Sequence, residues 1–350
     1  MVVDIETSEG FDCEQAFGSG HFQNHLTLFT AFSVLVVISH AVAFTLISAE
    51  VDHWCRQPTG GYLSADAWRN ISIPVDPDGR HSKCMVYANP GDPNDTKVIE
   101  CDAWDFDLER GKGSVISEWK LVCSRRSLKT LADVVFMAGS VVFLLLSGHF
   151  ADRVGRLPVV LASASILTVA TLGTCFAPSY PAYLVTRFLI SGCTVSLNAV
   201  TGIILAECSS CARRSTLLSL SFLLGNLLAD TYTRFLKWVR PSHWFYHQLA
   251  IVAPTLLVPV WSLLATESPR WLIASRRLEA AARVMRAAAQ RNGSNTDGVD
   301  LLLQRVKRRL EAEIGADGAT PLATDMVRVV RRRARSCSGL HFAPPPPFAR

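Results

Sequence analysis

Six apolar blocks of about 20 residues each decide what this chain can fold into: Leu26 to Ser48, Leu128 to Phe150, Leu157 to Ala177, Ala182 to Ala206, Ser215 to Leu236 and Tyr246 to Thr266. Each is long enough to cross a hydrocarbon layer as a helix. The first, third and sixth contain no Asp, Glu, Lys or Arg, which buried helices of a soluble protein seldom manage. Only 19% of the chain is charged, against about a quarter in ordinary soluble domains. In lipid each block must be helical, because only internal hydrogen bonds can satisfy its backbone. The expected fold class is an all-α membrane protein, a six-transmembrane-helix bundle carrying a large disulfide-bearing extracellular loop.

Charge asymmetry sets the expected orientation. The first 25 residues hold Asp4, Glu6, Glu9, Asp12 and Glu14 but no Lys or Arg, unlike the basic start of a cleavable signal peptide. The short connections at 149–156 and 207–214 carry Arg153, Arg156, Arg213 and Arg214, and 178–181 carries no charge. After Thr266 there are 16 Lys or Arg against 8 Asp or Glu. Basic short loops lie on the cytoplasmic side. Residues 1–25 and 267–350 are therefore expected inside, 26–266 as the bundle, and loop 48–127 outside.

That loop contains two glycosylation sequons, at Asn70 and Asn94, and four cysteines, Cys55, Cys84, Cys101 and Cys123. In an oxidising compartment four cysteines read as two disulfides, with three possible connectivities. A zinc site on His53, Cys55, His81 and Cys84 is the alternative, and oxidising conditions disfavour it. Few apolar residues recur regularly in the loop, so it needs those staples to hold a shape. Cys208-Ser-Ser-Cys211 has the spacing of a redox or metal pair, but a single such pair in a turn reads as coincidence.

The stretch GHFADRVGR, residues 148–156, joins the second and third blocks. Gly148 lets the end of helix two approach a neighbour, Asp152 can pair with the arginines, Gly155 allows the turn, and Arg156 anchors helix three at the headgroups. A merely positive loop would explain the arginines but not their spacing with Gly148, Asp152 and Gly155.

This pattern resembles the signature loop of the major facilitator superfamily. Further motifs narrow the resemblance: ESPRWL (267–272) after helix six, DHWCR (52–56) after helix one, SEWKLVC (117–123) before helix two, and RFLISG (187–192) in helix four, which Glu207 closes. Together they resemble the organic cation, anion and zwitterion transporters of solute carrier family 22, over about residues 10 to 290. Leu157 and Lys120 depart from the usual pattern. The superfamily has two related six-helix halves, and the match is to the N-terminal one. The resemblance implies alternating access, with Gly148, Asp152, Arg153, Gly155, Arg156, Glu207, Arg213, Glu267 and Arg270 in the conformational switch. It also implies a helical cytoplasmic linker, which the amphipathic stretches 274–291 and 299–314 match. The arginine cluster and the Pro344–Pro347 run that follow match no module. Those arginines suit anionic lipid rather than nucleic acid.

Charged groups inside a membrane should face a cavity or a partner. Helix one has His40, helix two Lys129 and Asp133, helix four Arg187, and helix five Asn226, Asp230 and Arg234. Helices one, two, four and five are thus expected to line a pathway, with three and six facing lipid. His40, Arg187, Asn226 and Asp230 are the substrate-cavity candidates, Arg187 foremost. Lys129–Asp133 and Asp230–Arg234 have the spacing of local ion pairs. Pro254 and Pro259 should kink helix six. No Ser/His/Asp, metal-ligand or phosphate-loop constellation appears, so neither an enzyme, a cofactor nor a metal is expected. The expected function is transport of small organic ions, present here as one half. A non-transporting form, or a receptor built on the loop, is the alternative. Expected partners are membrane lipid, the organic ion, and a second half or another copy of the chain.

Overall fold

The computed structural model describes residues 13–58, 64–89, 97–108, 113–239 and 243–316. Asn94, Cys337 and the arginine- and proline-rich tail lie outside these residues. A short helix α1 (Cys13–Phe17) precedes α2 (His21–Ile47). The long loop then supplies β1 (His53–Cys55), α3 (Ala65–Ser72), β2 (Met85–Tyr87), β3 (Val98–Glu100), β4 (Trp104–Phe106) and α4 (Val115–Glu118). Five long helices follow: α5 (Arg126–Val154), α6 (Arg156–Cys175), α7 (Tyr180–Glu207), α8 (Cys211–Val239) and α9 (Trp244–Leu264). The chain continues with α10 (Pro269–Ala274), α11 (Leu278–Asn292) and α12 (Asp297–Ala316), the last two covering the amphipathic stretches.

The long helices α2 and α5–α9 correspond to the six apolar blocks. Among the described residues five have the length and composition to cross a membrane. The other, α8, is 29 residues long but carries Arg213, Arg214, Asp230, Arg234 and Lys237. Helix α7 is the hub, packing on α5, α6 and α2; α2 also packs on α8 and α9, and α6 on α9. Small residues allow the close approach of α5 to α7. At Gly192 a side chain would begin 2.3 Å from the Phe143 ring, so only glycine fits there. The division expected from polar residues is only partly followed. Helices α2 and α7 are mostly buried within the bundle, whereas α5 and α8 present broad apolar surface, including Met137, Leu145, Phe222 and Leu227. Helices α6 and α9 pack on one another and expose Val169, Val260 and Leu263 outward.

Helix α9 runs through both of its prolines. Pro254 cannot donate to the Ala250 carbonyl, and in lipid that acceptor would otherwise go unmet. The Tyr232 hydroxyl of α8 donates to it at 2.5 Å, so the proline is matched by a partner on the neighbouring helix.

The loop has more of a core than its composition suggests. Strands β1 and β4 pair antiparallel, with Cys55 opposite Trp104, and β2 pairs with β3, with Met85 opposite Glu100. Disulfides join Cys55 to Cys101 and Cys84 to Cys123. All four sulfurs are thereby used, which removes the cysteine ligands of the zinc alternative. Ile73, Trp104, Val115, Ile116 and Leu121 form one apolar cluster with Phe44, Tyr183 and Trp244 of the bundle. Trp119 is the wedge between them, with ring centroids 4.8 Å from Tyr183 and 5.6 Å from both Tyr180 and Trp244. The loop is therefore seated on the ends of α2, α7 and α9.

Asn70 is exposed on α3. Asn292-Gly-Ser294, in the segment expected inside, also has the form of a sequon, but its amide is committed: Nδ2 donates to the carbonyls of Phe17 and Gly18 at 3.2 and 3.0 Å, and Oδ1 accepts from Phe22 N–H at 2.9 Å. Glycosidase treatment of the expressed chain should therefore give a mass shift that Asn70→Gln plus Asn94→Gln abolishes. A shift that survives both substitutions and disappears with Asn292→Gln would contradict this arrangement.

Candidate functional site

Among the described residues, Arg156 is the centre of the most connected polar group in the bundle, at the end opposite the long loop. Helix α5 stops at Val154 and α6 starts at Arg156, so a single residue, Gly155, makes the whole joint. Its φ is +119°, and a side chain there would begin 2.5 Å from Glu267 Oε2, against Trp271. Glycine is required on both counts. The tight joint turns Arg156 inward, where it is 6% exposed, rather than toward headgroups. This corrects the anchoring role expected for it.

The Arg156 guanidinium donates from Nε and Nη2 to the two Glu207 carboxylate oxygens at 3.2 and 3.1 Å, a fork-on-fork contact. Nη2 also donates to Asp152 Oδ1 at 3.1 Å, and Nη1 to the Ala151 carbonyl at 3.0 Å. The Glu267 carboxylate accepts from the backbone N–H groups of Arg156 and Leu157 at 3.0 and 3.1 Å. It thus sits on the N-terminus of α6, where free N–H groups and the helix dipole favour an anion. Trp271 Nε1 closes the arrangement by donating to the Asp152 carbonyl at 3.0 Å. Asp152, Arg156, Glu207 and Glu267 therefore tie α5, α6, α7 and the segment leading into α10. Both signs of charge are concentrated at one end of the bundle, in contacts that a sliding helix would break together.

Other members of the expected switch lie apart. Gly148 has no atom within 4 Å of where its side chain would begin, so it makes no close approach in this structure. Arg153 is exposed. Arg270 is half-buried on α10. Arg213 pairs not with this group but with Glu14 of α1, whose carboxylate also accepts from Ser210 N–H at the start of α8. Glu14 thus does for α8 what Glu267 does for α6. It was missed because nothing in the sequence distinguishes it from its acidic neighbours.

The cavity candidates separate too. His40 is 1% exposed and its Nε2 is 3.0 Å from Thr255 Oγ1, which places it between α2 and α9 rather than on an open wall. Arg187 is 4% exposed. It lies 3.8 Å from Asp133 Oδ1, donates to the His40 carbonyl at 3.4 Å, and stacks over Phe136 and Phe44 at 4.3 and 5.0 Å. Asp133 is thus paired across helices with Arg187 instead of along its own helix with Lys129. Asp230 pairs with Arg234 at 2.9 Å on an exposed face, as its spacing suggested. Asn226 donates to the Phe222 carbonyl of its own helix at 2.7 Å. Lys129 lines a cleft of about 890 Å³ beneath the loop, with Asp52, Lys83 and Arg126. There the Lys83 ammonium, 2.7 Å from Asp52, holds that carboxyl below the usual carboxylate range by its hydrogen bond.

The profile of the sugar (and other) transporter family matches residues 93–344. Human organic anion transporter 3 is 30% identical over 332 residues, which cover 92% of this chain and 59% of that protein. Mouse solute carrier family 22 member 6 is 29% identical, covering 94% of this chain and 62% of the relative. The chain thus spans about three fifths of the length of the curated relatives it matches. Among solved structures, the partially occluded inward-open xylose transporter XylE from E. coli aligns with a TM-score of 0.51 at 14% identity. That alignment covers 85% of this chain and 61% of the other, and the likeness is one of fold.

Proposed function

Because this chain belongs to the sugar (and other) transporter family, within the major facilitator superfamily and akin to solute carrier family 22, we propose that it is the first six-helix half of a plasma-membrane carrier for small organic ions. Residues 26–266 form its membrane unit, loop 48–127 lies outside, and residues 1–25 and 267–350 lie inside. The observation that carries this reading is the Arg156 group. Alternating access needs two rigid halves that rock about a central site, and rocking needs contacts that are either all made or all broken. The ties from Arg156 to Glu207 and Asp152, with Glu267 on the α6 N-terminus, are of that kind. The broad apolar faces of α5 and α8 suit a second six-helix unit, from another chain or another copy of this one. The relatives' names favour organic anions as substrates.

The test is uptake of labelled organic anions and cations by cells expressing residues 1–316 joined to the second six-helix half of human organic anion transporter 3. Saturable uptake that falls at least ten-fold with Arg156→Ala, at equal surface expression, is the expected result. A correctly inserted fusion with no uptake of either class would contradict the proposal.

A further inference from the structure

Spacing alone made Cys208-Ser-Ser-Cys211 a coincidence, but the fold gives its two sulfurs opposite settings. Cys208 caps the C-terminus of α7, is fully buried, and belongs to the main apolar cluster of the bundle with Ile204 and Leu205. Cys211 is the first residue of α8 and is exposed. Both are thiols in this structure. Cations surround the exposed one. Arg214 Nη2 lies 3.9 Å from Cys211 Sγ, while Arg214 Nε donates to the Ala206 carbonyl at 2.9 Å, which holds the guanidinium over the turn. Arg213 is beside it and meets the carboxylate of Glu14, the acid that accepts from Ser210 N–H. An exposed cysteine next to arginine, at a helix start and three residues from a second cysteine, has the surroundings that favour the reactive thiolate.

We propose that Cys208 and Cys211 are an oxidation-sensitive dithiol, a modification site whose oxidant is hydrogen peroxide. The Cys211 thiolate attacks one peroxide oxygen, the O–O bond breaks, and a sulfenic acid forms as hydroxide leaves. The Cys208 thiol then attacks the Cys211 sulfur, its proton goes to the departing oxygen, and water leaves as the S–S bond forms. Two thiols lose two electrons in all, and one peroxide becomes two waters. A disulfide needs its Cβ atoms about 3.8 Å apart, so the Cys208 side chain has to turn out of the buried cluster toward Cys211. The residue before it is Glu207, which makes the two-pronged contact with Arg156. Oxidation therefore pulls on the Arg156 group from the α7 end, and reduction restores it. On the proposed topology the turn lies inside, where disulfides are transient and serve redox sensing or catalysis.

The test exposes the full chain in isolated membranes to micromolar hydrogen peroxide, blocks remaining thiols with N-ethylmaleimide, and maps peptides without reduction. The parent should yield a disulfide between Cys208 and Cys211, and dithiothreitol should restore both thiols. Cys208→Ala removes the resolving thiol, so Cys211 should instead remain a sulfenic acid and take up dimedone at least ten-fold faster than the buried Cys175 and Cys193. If Cys208→Ala fails to accumulate, Cys208→Ser answers the same question. Peroxide should lower the melting temperature of the purified parent by several degrees and leave the Cys208 variant and Cys211→Ser unmoved. Survival of both thiols, a disulfide from Cys211 to another cysteine or to a second chain, or a Cys208–Cys211 disulfide without a change in melting would overturn the proposal. The transport reading is judged separately by the fusion's uptake, so the two can fail independently.

Discussion

Replacing Arg156 by alanine should cost the bundle about 3–5 kcal/mol, the range for removing one partner of a buried ion pair. The Arg156 and Glu207 side chains are only 7% and 14% exposed, so little water can replace what is lost. Glu207 would keep its charge with no cation opposite it, and Asp152 would lose its partner as well. Arg156→Lys should recover only part of the loss, since an ammonium cannot make the two-pronged contact with Glu207. Arg153→Ala, three residues earlier and exposed, should stay within about 0.5 kcal/mol of the parent. Thermal unfolding of the purified variants in one detergent would check the order. Equal melting temperatures for Arg156→Ala and Arg153→Ala would mean that the Arg156 group does not hold the helices together.

The second large effect lies in the loop. Chain-entropy arguments give each disulfide about 4 kcal/mol for closures of this size, with separations of 46 residues for Cys55–Cys101 and 39 for Cys84–Cys123. The two closures overlap along the chain, so cutting either should also loosen the cluster that seats the loop on Phe44, Tyr183 and Trp244. Cys55→Ser and Cys84→Ser should each sharply reduce surface expression. Non-reducing peptide mapping should recover Cys55 linked to Cys101 and Cys84 linked to Cys123. Recovery of Cys55 linked to Cys84 would contradict this connectivity.

The features legible in the sequence were those written locally. Runs of apolar residues mark each long helix, and alternation of charge with Ala and Leu marks α11 and α12. The Gly155 joint, the sequons and the pairing of Asp230 with Arg234 are all set within a few residues. Partners chosen across the fold were not legible. Asp133 has a lysine four residues before it, yet it reaches Arg187, because α5 and α7 pack closely. Asn292 reads as a glycosylation sequon, but it serves as the clamp on a turn 270 residues earlier. The loop core was missed for a related reason. Trp104, Ile73 and Trp119 are scattered along the chain, and they become a cluster only when the strands and disulfides bring them onto the bundle.

On the proposed function, these six helices supply one wall of a transport pathway and need a second unit to complete it. Arg187 is paired with Asp133 within the half, whereas the broad apolar faces of α5 and α8 stay exposed among the described residues. A second copy could provide that unit in principle, because the halves of such carriers are related repeats. The direct measurement is uptake of labelled organic anions and cations into proteoliposomes holding only the purified 350-residue chain, with the fusion in parallel. The fusion should give saturable uptake and the chain alone none above empty vesicles. Saturable uptake by the chain alone, at a lipid dilution that keeps it monomeric, would contradict the account.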